Sequence, residues 1–165
     1  MKVLLDENAP KQLLSPLEKL LRSHDVDHTE NLGWKEASDT GLYAKASRTG
    51  WNVLITNDGK QLLDPQICRA IKQSGLHYVH YELADGLDGA ARAYASVLFA
   101  IRGVMTALEE SDGQRVIRIA NLRQRGANFD ILRPGIDHIS NYWPGRHGYG
   151  NHRPSNLPPQ QLSKG

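Results

Sequence analysis

The stretch Asn52-Val53-Leu54-Ile55-Thr56-Asn57-Asp58 contains the clearest β pattern in this chain of 165 residues. Its central residues are apolar or β-branched and follow one another without a break, which predicts a strand buried on both faces, as in a parallel sheet. Asp58 comes just past the end of that strand. The sequence therefore predicts an acid at the carboxyl end of a buried strand.

A second predicted strand, at the amino terminus, also ends at an acid. Val3-Leu4-Leu5 is a short apolar run bounded by charges, and Asp6 follows it directly. A helix is predicted next, because leucines recur at helical spacing: Leu13, Leu14, Leu17, Leu20 and Leu21. Pro16 interrupts this stripe, and Ser15-Pro16-Leu17-Glu18 has the pattern of a capping box, so we expect the helix to be kinked or restarted there.

Between those two strands, the pattern predicts a short strand over residues 25–29 and a second helix. Ser38 or Asp39 is expected to cap this helix, and Gly50 stands where a left-handed C-terminal cap is common. The inward face of the helix is expected to carry Leu42, Tyr43 and Ala46. A helix of this kind would connect two parallel strands and cover the sheet between them.

Strands and helices continue to alternate after Asp58. We expect a helix over residues 65–73, closed by Ser74-Gly75, and a strand over 77–81. A long helix over 87–108 and strands over 116–119 and 129–132 should follow, the last strand at a sheet edge. The long helix has a wide apolar face: Ala91, Tyr94, Leu98, Ile101, Met105 and Leu108. This alternation predicts an α/β fold with a mostly parallel sheet, whose ligand crevice lies at the carboxyl ends of the strands.

The composition, with 39% hydrophobic and 23% charged residues, predicts one compact domain, which we place at residues 1–133. The net charge of +2 arises in residues 134–165, where Arg146, Arg153 and Lys164 are balanced only by Asp137. This C-terminal tail is basic and rich in Pro, Gly, Asn and His, and we expect it to be flexible. Its aromatic and basic side chains would also suit contacts with single-stranded RNA.

Cys68 is the only cysteine, so the sequence excludes an intramolecular disulfide and a cysteine-based zinc site. A reducing cytoplasm is the compartment that we expect. The amino-terminal apolar run is too short for a secretory signal, and we expect no other segment to approach a membrane span.

Several short motifs occur in order in the first half of the chain. They are MKVLLDENAP at residues 1–10, His24-Asp25-Val26 with His28, Gly33 before Ala37-Ser38-Asp39, and Gly50 with Val53-Leu54-Ile55-Thr56-Asn57-Asp58. Together they resemble the PIN-like family, and within it the small bacterial proteins related to toxin ribonucleases. The second half of the chain matches that family only in its order of elements.

The resemblance implies a three-layer α/β/α PIN-like fold and metal-dependent hydrolysis of RNA. By position, it implies that Asp6, Asp39 and Asp58 are the catalytic residues and hold Mg²⁺ or Mn²⁺, with Glu7 and Asn8 supporting the first acid. Carboxylates suit this chemistry because Mg²⁺ takes oxygen ligands, and a bound metal activates water and neutralises charge on the scissile phosphate.

One position departs from the family pattern, in which another acid follows the third aspartate by two residues. This chain has Asp58-Gly59-Lys60, which places a cation there. Lys60 would then contact a substrate phosphate, or else the metal site would be a weakened one. Asp64 is a candidate replacement acid, although its place before Pro65 also suits a helix start. Thr56 is expected to support the site from the end of its strand.

Each acid also has an ordinary structural interpretation. Asp6 and Asp58 are plausible turn residues, and Asp39 is a plausible helix cap, so the interpretation as one site depends on all three together. Surface or strand-packing roles are simpler than metal binding for four histidines, because no cysteine surrounds them. These histidines are His24, His28, His77 and His80.

Three functions compete on these grounds. The first is a ribonuclease that forms the toxin half of a type II toxin–antitoxin pair, with a cognate antitoxin protein as partner and a homodimer left open. The second is a PIN-like module that has lost the metal and binds RNA or a protein, which Lys60 favours. The third, a phosphoryl-transfer domain, ranks last because neither GxGxxG nor GxxxxGK[ST] occurs in the sequence.

Overall fold

The computed structural model describes residues 1–34, 39–120, 122 and 129–132, which form six strands and four α-helices. The strands are β1 (Lys2–Leu5), β2 (Asp25–His28), β3 (Val53–Thr56), β4 (His77–Tyr81), β5 (Val116–Ile119) and β6 (Phe129–Leu132). The α-helices are α1 (Leu14–Leu20), α2 (Asp39–Arg48), α3 (Pro65–Ser74) and α4 (Gly86–Glu109). Short 3-10 helices span Lys11–Leu13 and Gly59–Leu63. The elements follow the order predicted from the sequence.

All six strands belong to one sheet, in the order β2-β1-β3-β4-β5-β6. The strands β1 to β5 pair in parallel, whereas β6 pairs with β5 in antiparallel orientation and lies at the edge. The predicted α/β fold with a mostly parallel sheet is therefore confirmed. Because β1 and β3 are neighbouring parallel strands, the residues that follow them, Asp6 and Asp58, both lie at the carboxyl ends of the strands.

Helices cover both faces of the sheet, which makes three layers. Side chains alternate between the faces along each strand, so Leu5 and Ile55 pack with residues of α1 and α4. Leu4, Leu54 and Tyr78 point the other way and pack with residues of α2 and α3. Burial on both faces is the reason why β1 and β3 contain the unbroken apolar runs Val3-Leu4-Leu5 and Val53-Leu54-Ile55.

The predicted break in this helix is observed two residues before Pro16, and the predicted capping box is not observed. A 3-10 turn at Lys11–Leu13 leads into α1, which begins at Leu14 with no side-chain cap. Pro16 therefore falls in the first turn of α1, where backbone N–H groups have no helical acceptor. The proline there removes no helical hydrogen bond. Ser15, which was expected to be the cap, lies inside the helix.

The boundaries of α2 and α3 follow their predicted signals. Leu42, Tyr43 and Ala46 of α2 are buried as expected. Gly50 and Gly75 have φ values of 83° and 72°, in the left-handed region that glycine adopts without a steric penalty.

At the start of α3, the Asp64 carboxylate accepts hydrogen bonds from the N–H groups of Gln66 (2.7 Å) and Ile67 (3.3 Å). The helix-start interpretation of Asp64 is therefore confirmed, and its carboxylate is used as a cap.

The long helix α4 packs on β4, β5 and α1. Its buried face is Gly89, Ala93, Ser96, Val97, Ala100, Ile101, Val104, Met105 and Leu108. Ala91 was expected on that face and is exposed, because the buried face of the first turns passes through Gly89, Ala93 and Ser96 instead.

Among the described residues, α4 is also the one helix long and apolar enough, by length and composition, to cross a membrane. The expectation that no segment approaches a membrane span was therefore too strict. A core helix that buries one face against a sheet passes the same test of length and composition.

Two predictions concern parts of the chain outside the described residues. One is the flexible basic tail at residues 134–165, with its aromatic and basic side chains. The other is Ser38 as the alternative cap of α2.

Candidate functional site

Asp6 lies directly after β1 and continues its pairing with β3. Its N–H donates to the carbonyl of Ile55 (3.0 Å), and the residue is only 1% exposed. One carboxylate oxygen, Oδ1, accepts from the N–H groups of Asn8 (3.0 Å) and Ala9 (2.9 Å). The other, Oδ2, accepts from Asn8 Nδ2 (3.4 Å). The predicted turn role of Asp6 is thus observed. The same turn holds the Asp6 carboxylate at the carboxyl end of β1.

Burial raises the pKa of Asp6 to about 6. Hydrogen bonds from Thr56, Ala9 and Asn8 act in the opposite direction, because each stabilises the ionised carboxylate. The effect of burial on the pKa is larger than that of the hydrogen bonds, so ionisation of Asp6 carries a desolvation cost. A buried carboxyl group with a strongly shifted pKa in a cleft is a common property of functional sites.

Thr56 links the two acids that the sequence predicted. Its hydroxyl is hydrogen-bonded to the Asp6 carboxylate and accepts from the N–H of Asp58 (2.9 Å). Thr56 is fully buried at the end of β3, next to β1 in the sheet. The structure therefore gives Thr56 the supporting position that was expected for it.

Asp58 begins the 3-10 helix Gly59–Leu63. Its carboxylate accepts from the N–H of Lys60 (3.1 Å), and its carbonyl accepts from the hydroxyl of Tyr78 (2.7 Å). Asp58 is half-buried, whereas Lys60 is exposed. The turn-forming role of Asp58 is observed, and the same bonds fix where its carboxylate lies at the sheet edge.

A small cleft lies between the turn after β1 and the start of α2. Its walls are Asp6, Glu7, Asn8, Thr29, Trp34, Leu42 and Gln61. Leu42 is one turn after Asp39, so the backbone of α2 starts beside this cleft. The side chain of Asp39, the third predicted acid, lies outside the part that the structure describes. The structure thus brings Asp6, Glu7 and Asn8 together in the cleft and ties Asp58 to them through Thr56.

Two polar residues of the cleft, Gln61 and Thr29, were not found from the sequence. Gln61 is buried, and its Oε1 accepts from the hydroxyls of Tyr43 and Tyr78. Burial, followed by the nearby Tyr43, Asp6 and Asp58, raises the pKa of Tyr78, so its hydroxyl remains a donor. Thr29 is 1% exposed, and among the described residues its hydroxyl has no hydrogen-bond partner.

Polar residues form a continuous row across the sheet at this edge. Thr56 lies opposite His80, His80 opposite Arg118, and Arg118 opposite Asp130. On the other side of Thr56, the pairing of Leu5 with both Ile55 and His28 places Asp6 and Thr29 next in the same row. The row comprises Thr29, Asp6, Thr56, His80, Arg118 and Asp130.

His80 lies in the middle of this row and is 9% exposed. Burial, and then the positive charge of Arg118, lowers the pKa of His80 to about 4, so the imidazole is neutral near neutral pH. Gly59 covers the ring so closely that a Cβ atom at Gly59 would lie 2.8 Å from His80 Nδ1. His80 therefore has the strand-packing position that was expected.

The other histidines have local structural roles. His28 Nε2 is hydrogen-bonded to the carbonyl of Ala9 (2.8 Å), which ties β2 to the turn that holds Asp6. His24 contacts the amino terminus, and His77 accepts from the N–H of Arg115 (3.1 Å). The preference for structural roles over metal binding agrees with these contacts.

The donors at the cleft suit a hard cation. Asp6 offers carboxylate oxygens, Asn8 an amide oxygen and Thr29 a buried hydroxyl without a partner in the described structure. Asp58 is not part of the cleft wall and is joined to it through Thr56. Within the described residues, no group of three or more His, Cys, Asp or Glu side chains could hold a metal ion by itself. A divalent ion held by Asp6 and Asp58 would therefore need a third ligand, which the family resemblance assigns to Asp39.

No protein-family model, curated protein or solved structure matches the chain. The fold and the cleft define a three-layer α/β protein with acids at the carboxyl edge of its sheet.

Proposed function

We propose that this protein is a metal-dependent endoribonuclease of PIN-like type, with its site at the cleft of Asp6. One observation carries the proposal: two acids follow neighbouring parallel strands and are joined by the hydroxyl of Thr56. In open α/β sheets, ligands bind at the carboxyl edge of the strands, where these acids lie. The ordered motifs in the sequence point to the same residues.

The described residues would divide the chemistry in a simple way. Asp6 and Asp58 would hold Mg²⁺ or Mn²⁺ together with Asp39, and the ion would supply an activated water and neutralise phosphate charge. Thr56 and the N–H groups of Asn8 and Ala9 keep the Asp6 carboxylate in one orientation.

Binding of Mn²⁺, measured by calorimetry, tests the site without knowledge of the RNA. We expect the wild type to bind Mn²⁺ and to cleave RNA in its presence, and Asp6→Asn/Asp58→Asn to lose both properties. Asp25→Asn is the matched control, because Asp25 is exposed at the start of β2. It therefore lies at the amino ends of the strands, whereas Asp6 and Asp58 lie at the carboxyl ends. Equal Mn²⁺ binding by all three proteins would exclude Asp6 and Asp58 as ligands.

As part of this proposal, the ribonuclease acts in the cytoplasm as the toxin of a toxin–antitoxin pair. An antitoxin would then inhibit it by covering the acidic cleft or by placing an Arg or Lys among the carboxylates. The same two substitutions are expected to relieve growth arrest on expression, whereas Asp25→Asn is not.

A second candidate is a PIN-like module that binds RNA or a protein without cleaving RNA. The hydrogen bonds of the two acids favour this candidate, because protein donors already occupy their carboxylates. Four donors contact the Asp6 carboxylate, and the Asp58 carboxylate caps the 3-10 helix Gly59–Leu63. Lys60 at the start of that helix adds a cation beside the site. RNA binding without Mn²⁺ binding by the wild type would select this candidate.

A further inference from the structure

A groove of about 410 Å³ runs between α2 and α3 on the face of the protein that carries these two helices. Its walls are Thr40, Ala44, Ser47 and Arg48 from α2 and Gln66, Arg69, Ala70, Gln73 and Ser74 from α3. The lining residues recur every three or four positions, so each helix contributes one continuous face. At one end, the Ser47 hydroxyl donates to the carbonyl of Ser74 (2.7 Å) and holds the helices together.

The groove begins at the carboxyl ends of the strands, as the candidate site does. In βαβ units the helices run opposite to the strands, so α2 and α3 both start at the carboxyl edge. Thr40 and Gln66 lie at those helix starts, and Leu42, two residues after Thr40, is part of the wall of the Asp6 cleft. Leu42 faces the core and Thr40 is exposed, so the cleft and the groove lie on different faces of α2 and share none of their described lining residues.

The chemistry of the groove suits a phosphodiester backbone. Arg48 and Arg69 are cations whose planar guanidinium groups match phosphate oxygens, and Gln66 and Gln73 add amide donors. None of the described lining residues is acidic, and none is aromatic, so the groove offers no stacking surface for a base. It would contact the sugar–phosphate chain and not read the sequence.

The charges of the two helical layers support this assignment. α2 and α3 carry Lys45, Arg48, Arg69 and Lys72 against a single acid, Asp39. α1 and α4 carry three cations, Lys19, Arg92 and Arg102, against three acids, Glu18, Asp88 and Glu109. The positive charge therefore lies on the layer that contains the groove, as expected of a surface that attracts a polyanion.

From this geometry we infer that the groove between α2 and α3 binds the phosphodiester backbone of single-stranded RNA. The inference rests on the proposed function for the identity of the polyanion, and it adds a binding surface remote from the acids. Arg48 and Arg69 are its principal contacts.

Binding of a fluorescent oligoribonucleotide to the full chain, followed by anisotropy in EDTA over a range of KCl, tests the groove apart from cleavage. For Arg48→Gln/Arg69→Gln we expect affinity to fall on the order of tenfold for each lost guanidinium contact. The slope of log affinity against log salt should fall by about 1.4, because each single-strand phosphate contact contributes about 0.7. Arg48→Lys/Arg69→Lys should retain most of that slope, since the charges remain.

Arg92→Gln/Arg102→Gln is the matched control, because it removes two exposed cations of α4 in the other layer. Unchanged affinity in this control, with the loss in the groove variant, would support the groove. Equal losses in both variants would overturn it, as would no loss in either or no RNA binding by the wild type. Displacement of the RNA by polyglutamate with the same dependence on Arg48 and Arg69 would assign the groove to an acidic protein segment and would also overturn it.

The failure of the groove and the failure of the proposed function give different results. If the wild type binds RNA through Arg48 and Arg69 but does not cleave it with Mn²⁺, the groove stands and the ribonuclease proposal fails. If the wild type cleaves RNA and the groove variant has the same KM, the ribonuclease stands and the groove fails.

Discussion

The carboxyl group of Asp6 combines two properties that oppose each other. It is almost completely buried, which disfavours its ionised form, and it accepts hydrogen bonds that favour that form. The net effect is a raised pKa, so the folded protein takes up a proton on this group more readily than the unfolded chain does. A divalent cation beside the group would reverse the balance, because it stabilises the carboxylate.

This balance predicts a specific pH dependence of stability in metal-free buffer. Because the pKa of Asp6 is about 6 in the folded state against 3.8 normally, its contribution to stability is greatest below pH 4 and is lost as pH rises to 6. The wild type should therefore lose stability relative to Asp6→Asn over that range, by up to about 3 kcal/mol. Urea unfolding of both proteins from pH 4 to pH 7 measures the difference. Parallel curves for the two proteins would contradict the burial of an ionisable group at this position.

At the scale of elements, the 3-10 helix Gly59–Leu63 connects the site to the sheet. It begins at Asp58, contributes Gln61 to the cleft, and lies against His80 of β4 at Gly59. The close approach needs a residue without a Cβ atom, since a methyl group there would overlap the imidazole. The position of Asp58 therefore depends on a contact with a strand more than twenty residues later in the chain.

Gly59→Ala tests this contact. We expect it to destabilise the protein by about 1–3 kcal/mol, because His80 is buried and the ring or the 3-10 helix must move. In a His80→Ala background the same substitution should cost clearly less, since the overlapping ring is gone. Urea midpoints of the four proteins in this cycle give the coupling between the two positions. An equal loss of stability from Gly59→Ala in both backgrounds would show that the His80 ring is not what excludes a Cβ atom at residue 59.

At the scale of the whole molecule, one sheet is shared by two hydrophobic cores. α1 and α4 cover one face and α2 and α3 the other, and the same strands contribute alternate side chains to both. Each layer of helices buries its apolar side chains in one cluster with the strands of the sheet. The described part of the chain should therefore unfold as one cooperative unit.

Substitutions in the two layers test this cooperativity. Ile101→Ala in α4 and Ile71→Ala in α3 each remove a fully buried side chain and should each cost about 2–5 kcal/mol. We expect the wild type and both variants to unfold in a single transition. Phe99→Ala is the control, because Phe99 lies on α4 but is 69% exposed, and we expect a change within about 0.5 kcal/mol. Two separate transitions in either variant would mean that the layers unfold independently.

The sequence alone determined the order of the elements and the positions of two acids at strand ends. Val53-Leu54-Ile55 and Val3-Leu4-Leu5 are unbroken apolar runs, and Gly50 and Gly75 mark helix ends, so local periodicity and backbone preference were sufficient. The metal-dependent ribonuclease and its Asp39 ligand remain predictions from the resemblance and the chemistry.

Only the tertiary structure decided which polar residues lie together. Thr29 and Gln61 line the cleft with Asp6, and His80 lies in the same row of the sheet, because strand register and the 3-10 helix place them there, and neither is encoded in short-range patterns. The burial that raises the pKa of Asp6 and the groove between α2 and α3 have the same origin. Both arise from packing between segments distant in the chain, whereas the sequence pattern reports mainly on neighbours.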